Sequence, residues 1–201
     1  MQTPDWIAVD WGTSNMRAWA MSASGSVLVA ARSDQGLGDL TPDQFEPALR
    51  AATNGWVIDD IPIIAGGMVG GRQGWLEAQY AVVPYPVTRD DFAQPRSTLD
   101  VQINAGLMQT NPADVMRGEE TQIADFWSMN KNWDGVICLP GTHTKWGHVS
   151  TDEVVSCQTY MTGDLFAAIG GHTVLRHSVQ SDNWDSDAFD AGVNDAISRP
   201  E

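Results

Sequence analysis

The residues from Asp10 to Arg17 are the first whose types and spacing suggest chemistry. One apolar, strand-like run ends at Asp10, the turn Gly12-Thr13-Ser14 follows, and a second strand-like run contains Arg17. A carboxylate at a strand end can hold Mg²⁺, while turn N–H groups and hydroxyls face phosphate oxygens. The pattern therefore predicts a β-hairpin built for a phosphate and its metal. The alternative is an ordinary hairpin in which these residues serve turn formation.

A similar device occurs again at residues 135–148. An apolar run precedes Gly141-Thr142-His143, and a strand-like run with a tryptophan follows. Leu139 occupies the position that Asp10 has in the first copy, so only the first copy can bind a metal. The second copy has Lys145 beside its turn. The repeat predicts two related halves, each with a phosphate-facing hairpin. Chance similarity of two Gly-Thr turns is the alternative.

Two acids stand about twenty residues ahead of the second copy, in Gly118-Glu119-Glu120. They open a stretch with helical spacing of apolar residues. Acids in a first helical turn are favoured simply because they complement the helix dipole, so a structural role and a chemical role both stay open.

A glycine-rich loop follows the short apolar run at residues 61–65. The run is typical of a buried parallel strand, and ligands bind beyond the carboxyl ends of such strands. The loop, residues 66–75, contains Arg72 and ends at Trp75, which a bare linker would not need. A connector without function is the alternative.

Composition narrows the function classes. The chain has 201 residues and a formal net charge of -15, which disfavours binding to nucleic acid or to an anionic membrane. Lys131 and Lys145 are its only lysines. Cys138 and Cys157 have no disulfide or zinc spacing, and the N-terminus lacks signal-peptide features, so we expect a cytoplasmic protein.

Common nucleotide and hydrolase motifs are missing from the sequence. It has no Gly-x-x-x-x-Gly-Lys-Ser/Thr loop, no Gly-x-Gly-x-x-Gly after a strand and no Gly-x-Ser-x-Gly elbow. Use of ATP would therefore follow neither the P-loop route nor the protein-kinase route.

Five segments carry a resemblance to a known family. The chain resembles the 2-dehydro-3-deoxygalactonokinase family, sugar kinases of the actin-like and hexokinase-like ATPase superfamily. The similar segments lie in the family's order between residue 6 and about residue 169: WIAVDWGTSNMRAW, GGMVGGRQGWLEA, DVMRGEETQI, LPGTHTKW and TYMTGDLFAAI.

The resemblance implies an activity and a fold. The activity is ATP-dependent, Mg²⁺-assisted phosphorylation of the terminal hydroxyl of 2-dehydro-3-deoxy-D-galactonate, in galactonate catabolism. The fold is α/β, a duplicated ribonuclease H-like fold of two lobes, here expected at residues 1–115 and 116–201. The expected partners are the sugar acid and MgATP, with no nucleic acid and no membrane.

The resemblance also assigns roles by position. Asp10 would organise the Mg²⁺, and Glu119, with Glu120 close behind, would be the general base. The implied phosphate-binding residues are Gly12, Thr13, Ser14, Arg17, Gly141, Thr142, His143 and Lys145.

A sugar acid also needs a cation for its carboxylate. Arginine binds carboxylates bidentately, which makes Arg72 the first candidate and Arg117 the second. Trp75 is expected to stack on the substrate, and Glu77 and Asp164 to hold hydroxyls. For Asp164, a plain role in the first turn of a helix is an equal alternative.

One departure from the family is expected to matter. A late glycine-rich segment grips the adenosine in such kinases, and the sequence ends before one occurs, so we expect an incomplete second lobe. Exposed apolar surface on such a lobe favours self-association into a homo-oligomer. Two alternatives stay open: a non-catalytic remnant that binds sugar acid, and a kinase of the same fold for another sugar or polyol.

Overall fold

A computed structural model describes residues 3–56, 58–88, 91–179 and 184–199 of the chain. Contacts group the chain into two compact units. The first combines Met1–Pro140 with Thr144–Tyr160, and the second combines Gly141–His143 with Met161–Glu201. These units are defined by contacts and differ from the two lobes, 1–115 and 116–201, that the resemblance implies. The lobe boundary after residue 115 stays a prediction.

The described residues of the first unit form a mixed α/β fold of thirteen strands and two α-helices, with short 3₁₀ turns between them. In chain order the elements are β1 (Trp6–Trp11), β2 (Met16–Met21), β3 (Val27–Ser33), α1 (Phe45–Ala52), β4 (Ile63–Gly67), β5 (Ala81–Val82), β6 (Tyr85–Pro86), β7 (Phe92–Ala93), β8 (Val101–Asn104), β9 (Leu107–Thr110), β10 (Ala113–Met116), α2 (Glu119–Met129), β11 (Gly135–Leu139), β12 (Thr144–Ser150) and β13 (Glu153–Tyr160).

The largest sheet has the strand order β3-β2-β1-β4-β8-β7. Strands β1, β2 and β3 form an antiparallel meander, whereas β4 runs parallel to β1 and β8 runs parallel to β4. The carboxyl ends of three neighbouring strands therefore meet at one edge of the sheet. Asp10, Gly67 and Asn104 lie at these three strand ends.

One face of this sheet carries the main core. Alternate residues of each strand point into it, such as Ile7 and Val9 of β1, which are buried. Helix α1 covers this face with Phe45, whose ring stacks on Trp75 at a centroid distance of 5.9 Å and tilts against Trp11 at 4.9 Å. Because buried aromatic side chains remove large apolar areas from water, this cluster is a main source of stability for the sheet.

The spacing of Thr41, Pro42 and Gln44 predicts a capping box at the start of helix α1, and the structure contains it. The first turn, Pro42–Gln44, is however 3₁₀ rather than α-helical. Within α1, the carboxylate of Glu46 accepts hydrogen bonds from Ser97 at 2.8 Å and from the Thr98 N–H at 3.0 Å. This acid thereby ties the helix to the loop that precedes β8.

The sequence of residues 100–107 predicts a single strand, and this prediction is wrong. The structure has two strands, β8 and β9, which belong to different sheets. The chain leaves the first sheet at Gly106, where an added Cβ would lie 2.6 Å from the Met116 carbonyl oxygen and 2.6 Å from the Tyr80 ring. Close packing at this glycine redirects the chain.

Two smaller sheets complete the first unit, with strand orders β10-β9-β5 and β11-β12-β13-β6. Helix α2 packs Ile123 and Trp127 against buried apolar residues of these strands, such as Val149. The strands β11, β12 and β13 form a second antiparallel meander.

The second unit contains three described helices: α3 (Gly163–His172), α4 (Arg176–Val179) and α5 (Ser186–Ser198). The sequence predicts Ser186 as the N-cap of α5, but Ser186 is the first helical residue. Asp185 caps the helix by accepting a 3.0 Å hydrogen bond from the Ala188 N–H. Large apolar side chains on these helices are exposed, among them Phe166 at 70%. None of the described helices has the length and apolar character needed to cross a membrane.

Replacing Glu46 by glutamine should destabilise the first unit. Partial burial raises the pKa of Glu46, but hydrogen bonds from Thr98, Ser97 and Arg50 outweigh it and lower the pKa to about 2. The pKa is thus depressed below the ordinary value of 4.5 for this group, so the stability that this carboxylate confers is fully present above that value and is lost as pH falls towards 2. We expect a loss of about 2 kcal/mol at neutral pH, measured by urea denaturation.

The pH dependence separates this effect from a general loss of packing. Glu46→Gln should flatten the fall in stability between about pH 4.5 and 3, because the titrating group is gone. Asp34→Asn, at an exposed acid, is the control and should keep the fall. Equal acid profiles for the wild type and Glu46→Gln would contradict this role for Glu46.

Gly67→Ala should cost more stability than an ordinary substitution of a left-handed glycine. Gly67 has φ +89° and ψ -153°, a region used essentially by glycine alone, and an added Cβ would lie 2.9 Å from the Trp11 carbonyl oxygen. Gly25 has φ +81° but open space around it, so Gly25→Ala is the matched control. We expect about 1 kcal/mol for Gly25→Ala and at least about 2 kcal/mol for Gly67→Ala in thermal unfolding. Equal losses would show that the close approach at Gly67 is unimportant.

Candidate functional site

Asp10 lies at the predicted position, near the carboxyl end of β1. It pairs in register with Arg17 of β2 on one side and with Gly66 of β4 on the other. The Arg17 Nη2 atom donates to the Asp10 Oδ2 atom at 2.5 Å, and both side chains are about half exposed. The carboxylate therefore faces the solvent side of the sheet rather than the core.

The loop after β3, residues 34–39, contacts the tip of the first hairpin. The N–H groups of Leu37 and Gly38 donate to the carbonyl oxygens of Gly12 and Thr13, at 3.0 and 3.1 Å. Thr13 and Ser14 are exposed. The loop fixes the turn backbone while leaving the hydroxyl-bearing residues at the surface.

The first turn of α2 packs against the end of β4. Gly118 has φ +106°, and an added Cβ there would lie 3.4 Å from the Gly67 Cα atom. The Glu120 Oε2 atom accepts a 2.6 Å hydrogen bond from the Gly118 N–H, and the Glu119 Oε2 atom accepts one of 3.0 Å from the Arg117 N–H. Glu120 is only 2% exposed, whereas Glu119 is partly exposed. The two acids that the sequence left equivalent thus differ in access.

A cavity of about 480 Å³ lies beside Asp10. Its described lining comes from the ends of the parallel strands, from β2 and from the first turns of α2: Ala8, Val9, Asp10, Arg17, Trp19, Ile64, Gly66, Gly67, Asn104, Gly118, Thr121 and Gln122. Neither Glu119 nor Glu120 is among these residues. Polar groups from four separate chain segments therefore converge on one cavity, which is the usual form of a small-molecule site.

The sequence reasoning missed three polar residues of this lining: Asn104, Thr121 and Gln122. Asn104 ends β8 beside β4, so the rule that ligands bind at carboxyl ends of parallel strands would have indicated it. Thr121 and Gln122 lie three and four residues after Gly118, which is the spacing of neighbours on one helix face.

Arg72 and Glu77 are both exposed, and each is open to a ligand. Trp75, which was expected to stack on a substrate, is 8% exposed and belongs to the core cluster with Trp11 and Phe45. Its ring is already covered by these side chains, so the structure gives Trp75 a packing role.

Arg117 is held inside the first unit. Its Nη2 atom donates to the Ala78 carbonyl oxygen at 2.9 Å, and its guanidinium carbon lies 4.2 Å from the centroid of the Tyr80 ring. The Nη1 atom is buried and has no hydrogen-bond partner among the described residues. One face and one corner of this cation are therefore engaged, which makes Arg117 less accessible than Arg72.

Lys145, expected beside a phosphate, is 8% exposed. Its Nζ atom donates to the Val115 carbonyl oxygen at 2.6 Å and to the Thr159 Oγ1 atom at 2.8 Å. Thr159 in turn donates to the Asp114 carboxylate at 2.5 Å. The ammonium group is thus used within the first unit, where it joins β12 to β10 and β13.

Cys157 lies close to this network but is not suited to nucleophilic chemistry. Burial raises the pKa of its thiol to about 11, and the negative charge of Asp114 adds to that effect. The thiolate is the reactive form, so a raised pKa keeps this cysteine inert near neutral pH.

The turn of the second hairpin belongs to the second unit, where α3 supports it. The Asp164 N–H donates to the Thr142 carbonyl oxygen at 2.9 Å, and the Asp164 Oδ2 atom lies 3.4 Å from the His143 Nε2 atom. An added Cβ at Gly163 would lie 2.7 Å from the Gly141 carbonyl oxygen. Asp164 therefore contacts the turn itself, while Gly141, Thr142 and His143 stay exposed.

Within the described part of the chain, no group of three or more histidine, cysteine, aspartate or glutamate residues gathers to hold a metal. Asp10 offers a single carboxylate with hydroxyl-bearing residues nearby in the turn. This donor set suits a hard cation that also binds a ligand's phosphate oxygens, as Mg²⁺ does. The site could therefore take a metal together with a phosphate, rather than a metal alone.

Sequence comparison finds relatives of this chain among known proteins. A sequence profile of the family described as 2-keto-3-deoxy-galactonokinase matches residues 10–201. The "Probable 2-dehydro-3-deoxygalactonokinase" of Rhizobium meliloti (strain 1021) is 38% identical over 205 residues, which cover 96% of this chain and 65% of the relative. The 2-dehydro-3-deoxygalactonokinase of Escherichia coli (strain K12) is 28% identical over 200 residues, which cover 98% of this chain and 68% of the relative.

A solved structure shows the same similarity in three dimensions. It is a crystal structure of a Sinorhizobium meliloti protein that carries the name 2-dehydro-3-deoxygalactonokinase, with a TM-score of 0.88 and 36% identity. The match covers 97% of this chain and 68% of that protein, so the chain spans about two thirds of the length of the relatives it matches. The profile match and these relatives agree: the chain belongs to the 2-keto-3-deoxy-galactonokinase family.

Proposed function

We propose that the protein transfers the terminal phosphate of ATP to the terminal hydroxyl of 2-dehydro-3-deoxy-D-galactonate, a step in galactonate catabolism in the cytoplasm. Family membership supports the reaction class and the substrate. The observation in the fold that supports it most is the convergence on one cavity of Asp10, the end of β4 and the first turns of α2.

We also propose that the fold is a duplicated, ribonuclease H-like arrangement of two lobes, divided after residue 115. The support is a repeated unit of three antiparallel strands, β1 to β3 and β11 to β13. In each repeat, the turn between the first two strands carries Gly-Thr.

The turn Gly12-Thr13-Ser14 of the first unit would bind the phosphates of ATP. Backbone N–H groups and hydroxyls are suited to this task, and Thr13 and Ser14 are exposed while Gly12 is partly exposed. In the second unit, the exposed residues Gly141, Thr142 and His143 offer groups that would also suit a phosphate. Asp10 would hold Mg²⁺, which supplies positive charge to the phosphate oxygens when bound. Arg17, now paired with Asp10, is placed to stabilise phosphate charge or to orient that carboxylate.

The transfer itself needs a group that accepts one proton. The substrate hydroxyl oxygen bonds to the γ-phosphorus, the bond to the bridging β–γ oxygen breaks, and the hydroxyl proton goes to a base while ADP leaves. We assign the base to Glu119, because it follows Gly118 as the resemblance requires and is partly exposed. We assign Glu120 to hold the helix start through the Gly118 N–H, since its carboxylate is buried.

We propose that Arg72, rather than Arg117, binds the substrate carboxylate. Arg72 is exposed, whereas Arg117 already binds the Ala78 carbonyl oxygen and lies over Tyr80. Glu77, also exposed, remains a candidate for substrate hydroxyls. Trp75, Lys145 and Asp164 take supporting roles in this proposal, because each is engaged with neighbouring protein groups.

Asp10→Asn should abolish phosphorylation with little loss of stability. The change removes the charge that would hold Mg²⁺ but keeps the side-chain shape. In a coupled assay with ATP, Mg²⁺ and 2-dehydro-3-deoxygalactonate, we expect turnover to fall about 10³-fold or more. Asp39 is an exposed acid at the end of the loop that follows β3. Asp39→Asn is therefore the control and should keep turnover. Unchanged turnover in Asp10→Asn would contradict the proposal that Asp10 holds the Mg²⁺.

Glutamine variants of the two helix acids should separate chemistry from structure. Glu119→Gln is expected to lower kcat by about 10²- to 10⁴-fold with little change in KM or stability, because the amide oxygen can still accept the Arg117 N–H while proton acceptance is lost. Glu120→Gln is expected to lower the melting temperature, because its carboxylate is buried and a neutral amide accepts the Gly118 N–H less strongly than a charged oxygen does. The reverse pattern would assign the base to Glu120, and full activity in both variants would contradict the mechanism.

A further inference from the structure

Asn104 stands out in the cavity as a polar side chain with unused hydrogen-bonding capacity. Its Oδ1 atom is buried and has no hydrogen-bond partner among the described residues. A buried polar atom without a partner costs folding free energy, and protein interiors rarely tolerate it without reason. A ligand group that forms a hydrogen bond with this atom would remove that cost, so binding of such a group is favoured.

Asn104 borders two cavities of the first unit. It lines the 480 Å³ cavity beside Asp10 and also a second cavity of about 340 Å³ that extends along α2. Thr121 lines both cavities as well. Asn104 and Thr121 thus form a shared polar wall between the end of β8 and the first turns of α2.

A glycine on the neighbouring strand keeps this wall open. At Gly66 an added Cβ would lie 3.8 Å from the Asn104 Nδ2 atom and 3.6 Å from the Thr121 Cγ2 atom. A side chain at this position would fill the space in front of both residues. The small residue therefore leaves room for an atom group that is not part of the protein.

The chemistry of the wall selects the kind of group that fits. The Asn104 amide is neutral, and its free atom is an acceptor. Asp10 and Arg17 line the same cavity and pair with each other, so the described lining offers a further anion no unpaired cation, and the free amide atom is an acceptor. A hydroxyl group satisfies the site because it donates to the amide oxygen and carries no charge.

We propose that Asn104 binds a hydroxyl at the terminal end of the substrate and so determines specificity for hydroxylated sugar acids. The proposal rests on the proposed function, which puts MgATP at Asp10 and phosphoryl transfer at the terminal hydroxyl. It orients the substrate: the hydroxyl-bearing end enters the cavity beside Asp10, and the carboxylate lies outside it.

A binding role and a structural role predict opposite effects on the free protein. Since Oδ1 has no protein partner among the described residues, truncating Asn104 should leave the melting temperature unchanged or raise it slightly. A structural asparagine would lose bonds and lower it. The stabilisation that substrate confers on the wild type should shrink in the variant, because ligand stabilisation follows affinity.

The test uses Asn104→Ala and Asn104→Leu, the second of similar size in case the smaller residue perturbs packing. Gln102→Ala is the matched control, an amide two residues earlier on β8 that is outside the described lining of both cavities. Calorimetric titration with 2-dehydro-3-deoxy-D-galactonate should show about 10- to 100-fold weaker binding for both Asn104 variants and unchanged binding for the control.

Deoxy analogues of the substrate identify the hydroxyl. Analogues that lack the terminal hydroxyl, or the one next to it, are titrated against the wild type and Asn104→Ala. One of the two should bind the wild type about 10- to 100-fold more weakly than the full substrate, yet lose no further affinity in Asn104→Ala, because the same bond is already missing.

The outcomes separate this proposal from the proposed function. If the wild type binds and phosphorylates the sugar acid but the Asn104 variants match it, or neither analogue shows the coupling, Asn104 has no part in specificity and the function stands. If the folded wild type neither binds nor phosphorylates the sugar acid, the proposed function fails and this proposal fails with it.

Discussion

The close approach of three backbones at Gly67 is the constraint on which the site depends. Strand β4 ends there against the Trp11 carbonyl oxygen of β1, and the first turn of α2 packs on it through Gly118. Only glycine readily adopts the Gly67 conformation, and any side chain would push β1 and β4 apart. An added Cβ at Gly67 would also lie 3.3 Å from the Asp10 Oδ1 atom, so glycine at this position keeps the space beside the carboxylate open.

The parallel pairing of β1, β4 and β8 turns that contact into a cavity. Pairing in register places Asp10 beside Gly66, and β8 brings Asn104 to the same edge. The buried aromatic cluster beneath α1 holds the opposite face of the sheet. Apolar packing on one face thus stabilises the strands, which leaves the strand ends free to carry glycine and polar residues that would be unfavourable inside a core.

The sequence predicted well those features that depend on neighbours in the chain. The first hairpin, the capping box around Pro42 and the start of α2 at Gly118 follow from local spacing and turn chemistry, and the structure contains all three. It predicted poorly those that depend on packing between distant segments. Trp75 is expected beside the substrate from its type and Lys145 beside a phosphate from its position, but long-range contacts bury both side chains. The role of Asn104 depends on the parallel pairing of β4 and β8 and on the approach of α2, which residues next to it in the chain do not reveal.

The roles proposed for Asp10, Glu119 and Asn104 all depend on phosphoryl transfer to a sugar acid by this chain. The most direct measurement is phosphorus NMR of a mixture of the folded protein, MgATP and 2-dehydro-3-deoxy-D-galactonate. We expect the ATP signals to give way to those of ADP and of a phosphate monoester on the terminal hydroxyl, and omission of Mg²⁺ to prevent the change. A folded protein that leaves the ATP signals intact in the complete mixture, or releases only inorganic phosphate, would contradict the proposed function.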